Sequence, residues 1–324
     1  MNRREFFGLL GGVAGLSATS RVASAQGAYP GRPVRILAGF AAGGGVDITA
    51  RLMGQWLSER LGQPFVTENR TGADGNIATE AVVNAPADGY TLLLATLPNA
   101  VNASLYPKLN FIFLRDIAPV ASVIRVPMVV LVHPSVAATT IPELIAYAKA
   151  NPGKINMASA GTGSAPHMAG ELFNAMAGVN MLHIPYRGQG PALSDLLGGQ
   201  VQILFAAAPG TADYIRSGKL RALAVTAASQ ADVLKELPTV GSTLPGYEAS
   251  QWYGIAAPTK TPDDIVGRLN KEINAAFDDA AMKTKFGAIA GETMPGSPSE
   301  FGRLISDETE KWAKVVKFAG LKAE

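Results

Sequence analysis

The chain has 324 residues, 48% of them hydrophobic and 17% charged, with a formal net charge of +2. That balance excludes disorder and low complexity, and the length favours two domains or one large α/β unit. Cysteine is absent, which removes disulfide scaffolds, thiol nucleophiles, thiolate zinc sites and the modifiable cysteine of a bacterial lipoprotein.

The N-terminus reads as an export signal. Arg3-Arg4 supplies a basic start, residues 6–16 form a short apolar, glycine-rich run, and Ala23-Ser24-Ala25 is a small-residue cleavage site. The run is too short to span a bilayer. Arg3-Arg4-Glu5-Phe6-Phe7 also fits a twin-arginine signal. Removing Arg3, Arg4, Arg21 and Glu5 with the segment 1–25 takes the net charge from +2 to zero. No basic stripe for nucleic acid and no cationic amphipathic helix remain. The expectation is a soluble chain outside the cytoplasm, exported by the general or the twin-arginine route.

Strands and helices then alternate. Residues 34–38 read as a buried strand, followed by Gly43-Gly44-Gly45 and a helix over 46–61 whose apolar residues recur at three and four, stopped by Gly62. Further strands are expected at 90–95, 128–132, 155–159, 201–206, 220–226 and 252–257. Thr140-Ile141-Pro142-Glu143 opens a helix to about Ala150 with a capping box, and Thr261-Pro262-Asp263-Asp264 and Ser297-Pro298-Ser299-Glu300 are expected to start helices in the same way. A helix also follows Gly161-Thr162-Gly163-Ser164 through Met176. The alternation predicts a parallel sheet covered by helices.

One echo organises the chain. Strand, glycine loop and helix occur in that order twice, around residues 36–53 and again around 155–173. Two such units, far apart in sequence, predict two similar domains, each with a glycine loop at the carboxyl end of a strand, where ligands bind in open α/β sheets. A glycine loop entering a helix presents unpaired N–H groups and the positive end of the helix dipole, an anion site that needs no lysine or arginine. The loops are Phe40-Ala41-Ala42-Gly43-Gly44-Gly45 and Ser159-Ala160-Gly161-Thr162-Gly163-Ser164. Ser164 is placed to cap its helix and Thr162 to donate to a ligand oxygen. Arg187-Gly188-Gln189-Gly190, before Pro191, is a third candidate. Asp47, in the first turn of its helix, serves either dipole compensation or a ligand contact. His167 lies in the first turn after the second loop and faces either the ligand or a packing neighbour.

Catalytic motifs are missing. Neither loop has G-x-G-x-x-G spacing, no G-K-S/T occurs, and Ser164 is not in G-x-S-x-G. The three histidines, His133, His167 and His183, are not at metal-ligand spacing. No metal, no cofactor and no catalytic residue is expected. The competing readings are an exported hydrolase using Ser164 and His167, and a sensory ligand-binding subunit.

The assembled segments resemble a known family. Tyr29-Pro30-Gly31-Arg32-Pro33-Val34, the first glycine loop through Val46-Asp47, Glu68-Asn69-Arg70-Thr71-Gly72, Asp88-Gly89-Tyr90-Thr91-Leu92, the second glycine loop, His183-Ile184-Pro185-Tyr186-Arg187-Gly188, Asp195-Leu196-Leu197-Gly198-Gly199-Gln200-Val201 and Gly218-Lys219-Leu220-Arg221-Ala222-Leu223 are similar to the Bug-type receptors of tripartite tricarboxylate transporters. The resemblance implies a periplasmic, two-domain Venus-flytrap binding protein of type II-like form, with the cleft between its domains. It implies a small carboxylate ligand gripped by both loops, membrane transporter subunits as partners, and a monomer. Domain 1 is expected over 26–126 and 254–324, domain 2 over 127–253, with crossings near Pro127 and Trp252. The expected ligand-binding residues are Phe40, Ala41, Gly43, Gly44, Gly45, Asp47, Asn99, Ser159, Thr162, Gly163, Ser164 and His167. Gln202 and Ile112 stand where the family often carries Asp, Asp74 stands where Gly is usual, and Ala206-Ala207-Ala208 is small and apolar. These departures point to a bulkier or less polar acid, such as an aromatic one; the ligand class expected is a small carboxylate, aromatic or dicarboxylic.

Overall fold

The computed structural model describes residues 29–208, 210–228 and 235–323. The expected signal segment and its cleavage site lie outside the described residues. The molecule is mixed α/β, with ten described strands joined through one path, β2-β1-β3-β9-β4-β7-β5-β6, and with β8 and β10 pairing β4 off that path.

Strand β1 (Val34–Ala38) buries Val34, Ile36, Leu37 and Ala38 and leaves only Arg35 exposed, which suits a central position between parallel neighbours. It pairs β2 (Phe65–Asn69) and β3 (Thr91–Thr96) in parallel. Helix α1 (Gly45–Leu61) returns between β1 and β2, and Gly62, at φ 73°, closes it with its N–H on the Ser58 carbonyl. Helices α2 (Asn76–Val83) and α3 (Leu97–Leu105) flank β3, and a short α4 (Phe113–Asp116) leads into β4 (Ile117–Val132).

The second unit repeats the plan. Helix α5 (Ile141–Ala150) begins at Thr140, whose hydroxyl accepts from the Glu143 N–H, while Glu143 reaches back to Thr139 rather than Thr140. Strand β5 (Asn156–Ser159) pairs β6 (Leu182–Pro185) and β7 (Ile203–Ala207) in parallel. Helix α6 (Ala165–Ala177) follows β5, α7 (Gln189–Leu197) follows β6, and α8 (Ala212–Arg216) precedes β8 (Arg221–Val225).

The expected all-parallel sheet is corrected by β4 and β9 (Ser250–Pro258), which run antiparallel to each other and to their neighbours. A strand buried on both faces is a continuous apolar run whichever way it points, so direction is not readable from composition. β4 is also far longer than the expected 128–132. Residues 117–127 pair β9, whereas Met128–Val132 pair β7 on one side and β8 on the other. The change falls at Pro127, which has no N–H to continue a ladder. The Met128 N–H turns to the Thr226 hydroxyl instead.

The chain ends on α9 (Asp263–Ala275), α10 (Ala280–Ala288), the two-residue β10 (Glu292–Thr293) and α11 (Pro298–Ala319). Ser297 and Glu300 form the expected reciprocal capping box of α11. Thr261 does not cap α9: Pro262 takes that position and the Thr261 hydroxyl donates to the Pro258 carbonyl. The apolar stripe of α11 buries Phe301, Ile305, Trp312, Val315 and Val316, and the helix packs against α3, β4 and α6. Its core is continuous with both halves of the sheet. A second core lies beneath β1, β3 and α1, and a third between β5, β7 and α7.

Candidate functional site

The first glycine loop is built around a buried acid. Asp47 accepts hydrogen bonds from the Gly43 N–H at 2.9 Å, the Asn69 amide at 2.9 Å and the Arg51 guanidinium at 3.0 Å. Burial pushes its carboxyl up, but these bonds from Arg51, Gly43 and Asn69 more than offset it and hold it below the usual carboxylate range. The same Asn69 amide donates to the Phe40 carbonyl at 2.9 Å, so one side chain ties both ends of the loop to β2. Gly43, at φ 84°, takes the left-handed turn that glycine permits. Gly44 occupies the N-cap with no side-chain cap, and the first intrahelical bond is Ile48 N–H to Gly44 O. The N–H groups of Gly45, Val46 and Asp47 therefore have no partner within the helix.

The second loop is tied by its own serines and histidines. Ser159 Oγ accepts from the Gly161 N–H at 3.1 Å and lies 2.6 Å from His183 Nε2. The Ser164 hydroxyl donates to the Gly161 carbonyl at 2.6 Å, so Ser164 takes the N-cap position of α6 without capping through its side chain. His167 is fully buried, its Nδ1 accepts from the Gly163 N–H at 3.0 Å, and its ring stacks on His183 with centroids 3.6 Å apart. The proton on His167 is thereby assigned to Nε2, which faces Glu171 at 3.7 Å, too long for a hydrogen bond. Burial beside His167 pushes His183 down to about 3, so it is neutral at ordinary pH.

Both loops open on one cavity of about 500 Å³. Phe40, Gly43, Gly44, Gly45 and Val46 form one wall, and Ala160, Ser164, Ala165 and Pro166 the facing wall. Gly188 and Gln189, at the start of α7, bring a third helix N-terminus to it. The Gln189 amide is held by the Ala207 backbone in both directions, at 2.9 and 3.3 Å. The floor is where the two long strands cross: Val126 and Gln251, direct partners in the β4–β9 ladder, both face the cavity, with Tyr253 and Ala207 beside them. Among the described residues no lysine, arginine or histidine lines it, and Asp74 is its one carboxyl group. Burial pushes the Tyr253 hydroxyl well up, so it stays a donor. Three helix N-termini without a cation suit a compact anion.

The structure gathers Phe40, Gly43, Gly44, Gly45 and Ser164 on the cavity wall, and puts the other expected contacts elsewhere. Asp47, Ser159 and His167 lie behind the loops and brace them. Gly163 packs against Leu105. Asn99 belongs to the α3 cap, accepting from the Thr96 N–H at 2.7 Å and donating to Thr79. Thr162 faces the adjoining hollow, with Asp74, Tyr106 and Arg187. Ala41 is exposed in the loop, off the wall. The polar side chains behind the two glycine loops are thus supports, because a short polar side chain in a tight turn finds backbone partners before it finds a ligand. Of the family departures, Gln202 braces the start of β5 and Ile112 is exposed before α4, both away from the cavity, whereas Asp74 and Ala207 line it. Tyr253, Gln251 and Val126 were invisible as site residues, since each sits in an apolar strand; their signal is their place at the crossing. The Ser164–His167 contact needed for a hydrolase is not formed, each side chain being bonded to a loop backbone group. Among the described residues no group of acidic and histidine side chains is arranged for a metal ion.

Comparison with known proteins agrees with this architecture. The family model described as Tripartite tricarboxylate transporter family receptor, TctC, matches residues 49–321. Protein BugT of Bordetella pertussis is 38% identical over 297 residues, covering 91% of each chain. The structure of R. palustris Rpa4515 with adipate superposes with a TM-score of 0.80 at 36% identity, covering 91% of this chain and 99% of that one. MatC of Rhodopseudomonas palustris with bound malate gives 0.77 at 30% identity, covering 89% and 100%. With its paired glycine-loop units and this sequence match along most of its length, the chain belongs to the TctC family of periplasmic solute-binding receptors of tripartite tricarboxylate transporters.

Proposed function

We propose that this protein captures a small carboxylate in the cavity between its two glycine loops and hands it to membrane transporter subunits of the tripartite type. The observation that carries the reading is the convergence of the N-termini of α1, α6 and α7 on one cavity that has no cationic side chain among the described residues. The solved relatives with adipate and malate add support, both ligands being carboxylic acids. The chain is exported with cleavage after Ala25, through the general or the twin-arginine route, and acts as a monomer.

The partner change at Pro127 and the pairing of Ser250 with Pro127 support a division of the chain into one lobe of residues up to 127 and from 250 onward, and a second of 128–249. The return proposed on this basis begins at Ser250, close to the expected Trp252. Each lobe carries one glycine loop, so a carboxylate is satisfied only when both close on it, and ligand then favours the closed form. Transfer of whatever co-purifies to mass spectrometry, followed by calorimetry with mono-, di- and tricarboxylates, tests the reading. At a hundred times Kd the bound form gains about 2.7 kcal/mol, a thermal shift of several degrees. At least one acid is expected to bind at micromolar concentration or better, with no turnover of any acid that binds. Turnover, or the absence of binding across the panel, contradicts the proposal.

A further inference from the structure

Among the described residues, two neutral side chains of the cavity, Tyr253 and Gln251, have no hydrogen-bond partner, and the tyrosine is the buried one. Tyr253 is 3% exposed, and its hydroxyl reaches the cavity with no hydrogen-bond partner among the described residues. It stands directly over the start of α1: a Cβ added to Gly45 would lie 2.9 Å from Tyr253 Oη. The ring is held by the core while the hydroxyl faces the cavity, so its proton is available to a ligand. The unused hydroxyl therefore lies beside the residue that opens α1, whose N–H has no partner within the helix.

Away from that point the wall offers little to a second charge. Ile48, Pro98, Val126, Ala207 and Ile289 are apolar. The Gln189 amide is engaged by Ala207 and the Ser164 hydroxyl by Gly161, which leaves only the neutral Gln251. The one ionisable side chain facing inward besides Tyr253 is Asp74, whose Oδ2 accepts from the Tyr106 hydroxyl at 2.8 Å. A second carboxylate would meet like charge in a partly desolvated space. Arg187 lies outside, exposed in the adjoining hollow, where solvent screens it.

We infer that this receptor selects an acid with a single carboxylate and an apolar body, that Tyr253 donates the hydrogen bond fixing that carboxylate over the N-terminus of α1, and that Asp74 turns away diacids. The inference rests on the carboxylate-receptor reading and separates this chain from the relatives solved with adipate and malate.

Calorimetry on the mature chain with hexanoate, adipate and 6-aminohexanoate, and with benzoate and terephthalate, decides it. Hexanoate or benzoate is expected to bind at least tenfold more tightly than its diacid. Tyr253→Phe, folded to the same thermal midpoint without ligand, should weaken the monoacid at least tenfold, and Asp74→Asn should reduce the monoacid-to-diacid ratio at least threefold. A diacid binding as tightly as its monoacid overturns the selectivity. Tighter binding of 6-aminohexanoate than of hexanoate overturns the apolar-body assignment, because Asp74 would then hold a cation. Unchanged affinity in Tyr253→Phe overturns the role of that hydroxyl. If none of the five acids binds, the carboxylate-receptor reading itself fails.

Discussion

Asp47 shows why a charged side chain sits behind an anion site rather than in it. Its carboxylate is saturated by Gly43, Asn69 and Arg51, so it shapes the loop while its charge is largely neutralised by the Arg51 pair. Asp47→Ala is expected to lower stability by about 1–2 kcal/mol in urea unfolding, through the lost hydrogen bonds, and to weaken carboxylate binding because Gly43 loses its anchor. His183 yields a pH prediction. Its folded pKa, near 3, is below the ordinary value of 6.5, so the unfolded chain takes up a proton that the folded chain refuses. The stability is fully present above pH 6.5 and falls as pH drops from there towards 3, by at most about 1.4 kcal/mol per pH unit and less after allowance for solvent around the half-buried ring. His183→Gln should flatten that slope in denaturation measured between pH 4 and 7; an unchanged slope would assign it to other groups. Phe40, the Gly43–Gly45 backbone and Ser164 were legible from sequence because loop chemistry and helix entry are local. Tyr253 was not, because its place on the cavity depends on its hydroxyl reaching Gly45 from β9, a contact between residues far apart in the chain.

At the scale of elements, the second glycine loop is fitted to its neighbour as well as to a ligand. Gly163 has φ 80°, and a Cβ there would come within 2.6 Å of Leu105 Cδ2 at the end of α3. Gly163→Ala therefore combines backbone strain with a clash between segments assigned to opposite lobes. It is expected to weaken ligand binding at least tenfold in calorimetry, and Leu105→Ala in the same chain should restore part of the loss by removing the obstructing methyl groups. No rescue would mean that strain alone is responsible. The helices with sequence caps, α5 and α11, were legible at their starts, since a cap is a local hydrogen-bond pattern. β2, α2, α3 and α10 were missed: β2 spans only five positions and buries just Phe65, and α10 has no coherent apolar face, burying just Met282 and Phe286. The unit order of strand, glycine loop and helix was legible twice because the glycines interrupt the apolar pattern at the same place. The antiparallel crossing of β4 and β9 was not, since it is fixed by pairing partners rather than by composition.

For the whole molecule, α11 is the element that holds both halves of the sheet to one core. Its buried Glu308 accepts from the indoles of Trp252 and Trp312 at 3.2 and 2.7 Å and pairs with Lys311, which also reaches Glu248 at 3.1 Å. Glu248 precedes the return strand and Lys311 follows it, so the Lys311–Glu248 pair crosses the proposed lobe boundary. Glu308→Ala leaves two buried indole N–H groups unpaired and is expected to reduce stability by about 2–3 kcal/mol in urea unfolding. A loss below 0.5 kcal/mol would show that α11 is held by its apolar stripe alone. The central claim, that helix N-termini from both lobes grip a carboxylate, is tested most directly by calorimetry with benzoate and benzamide, or with whichever acid binds most tightly and its amide. The two have nearly the same shape and differ in charge. The account predicts that the amide loses at least a hundredfold in affinity, because the unpaired N–H groups and the helix dipoles favour a full negative charge. Equal affinity for acid and amide would contradict it.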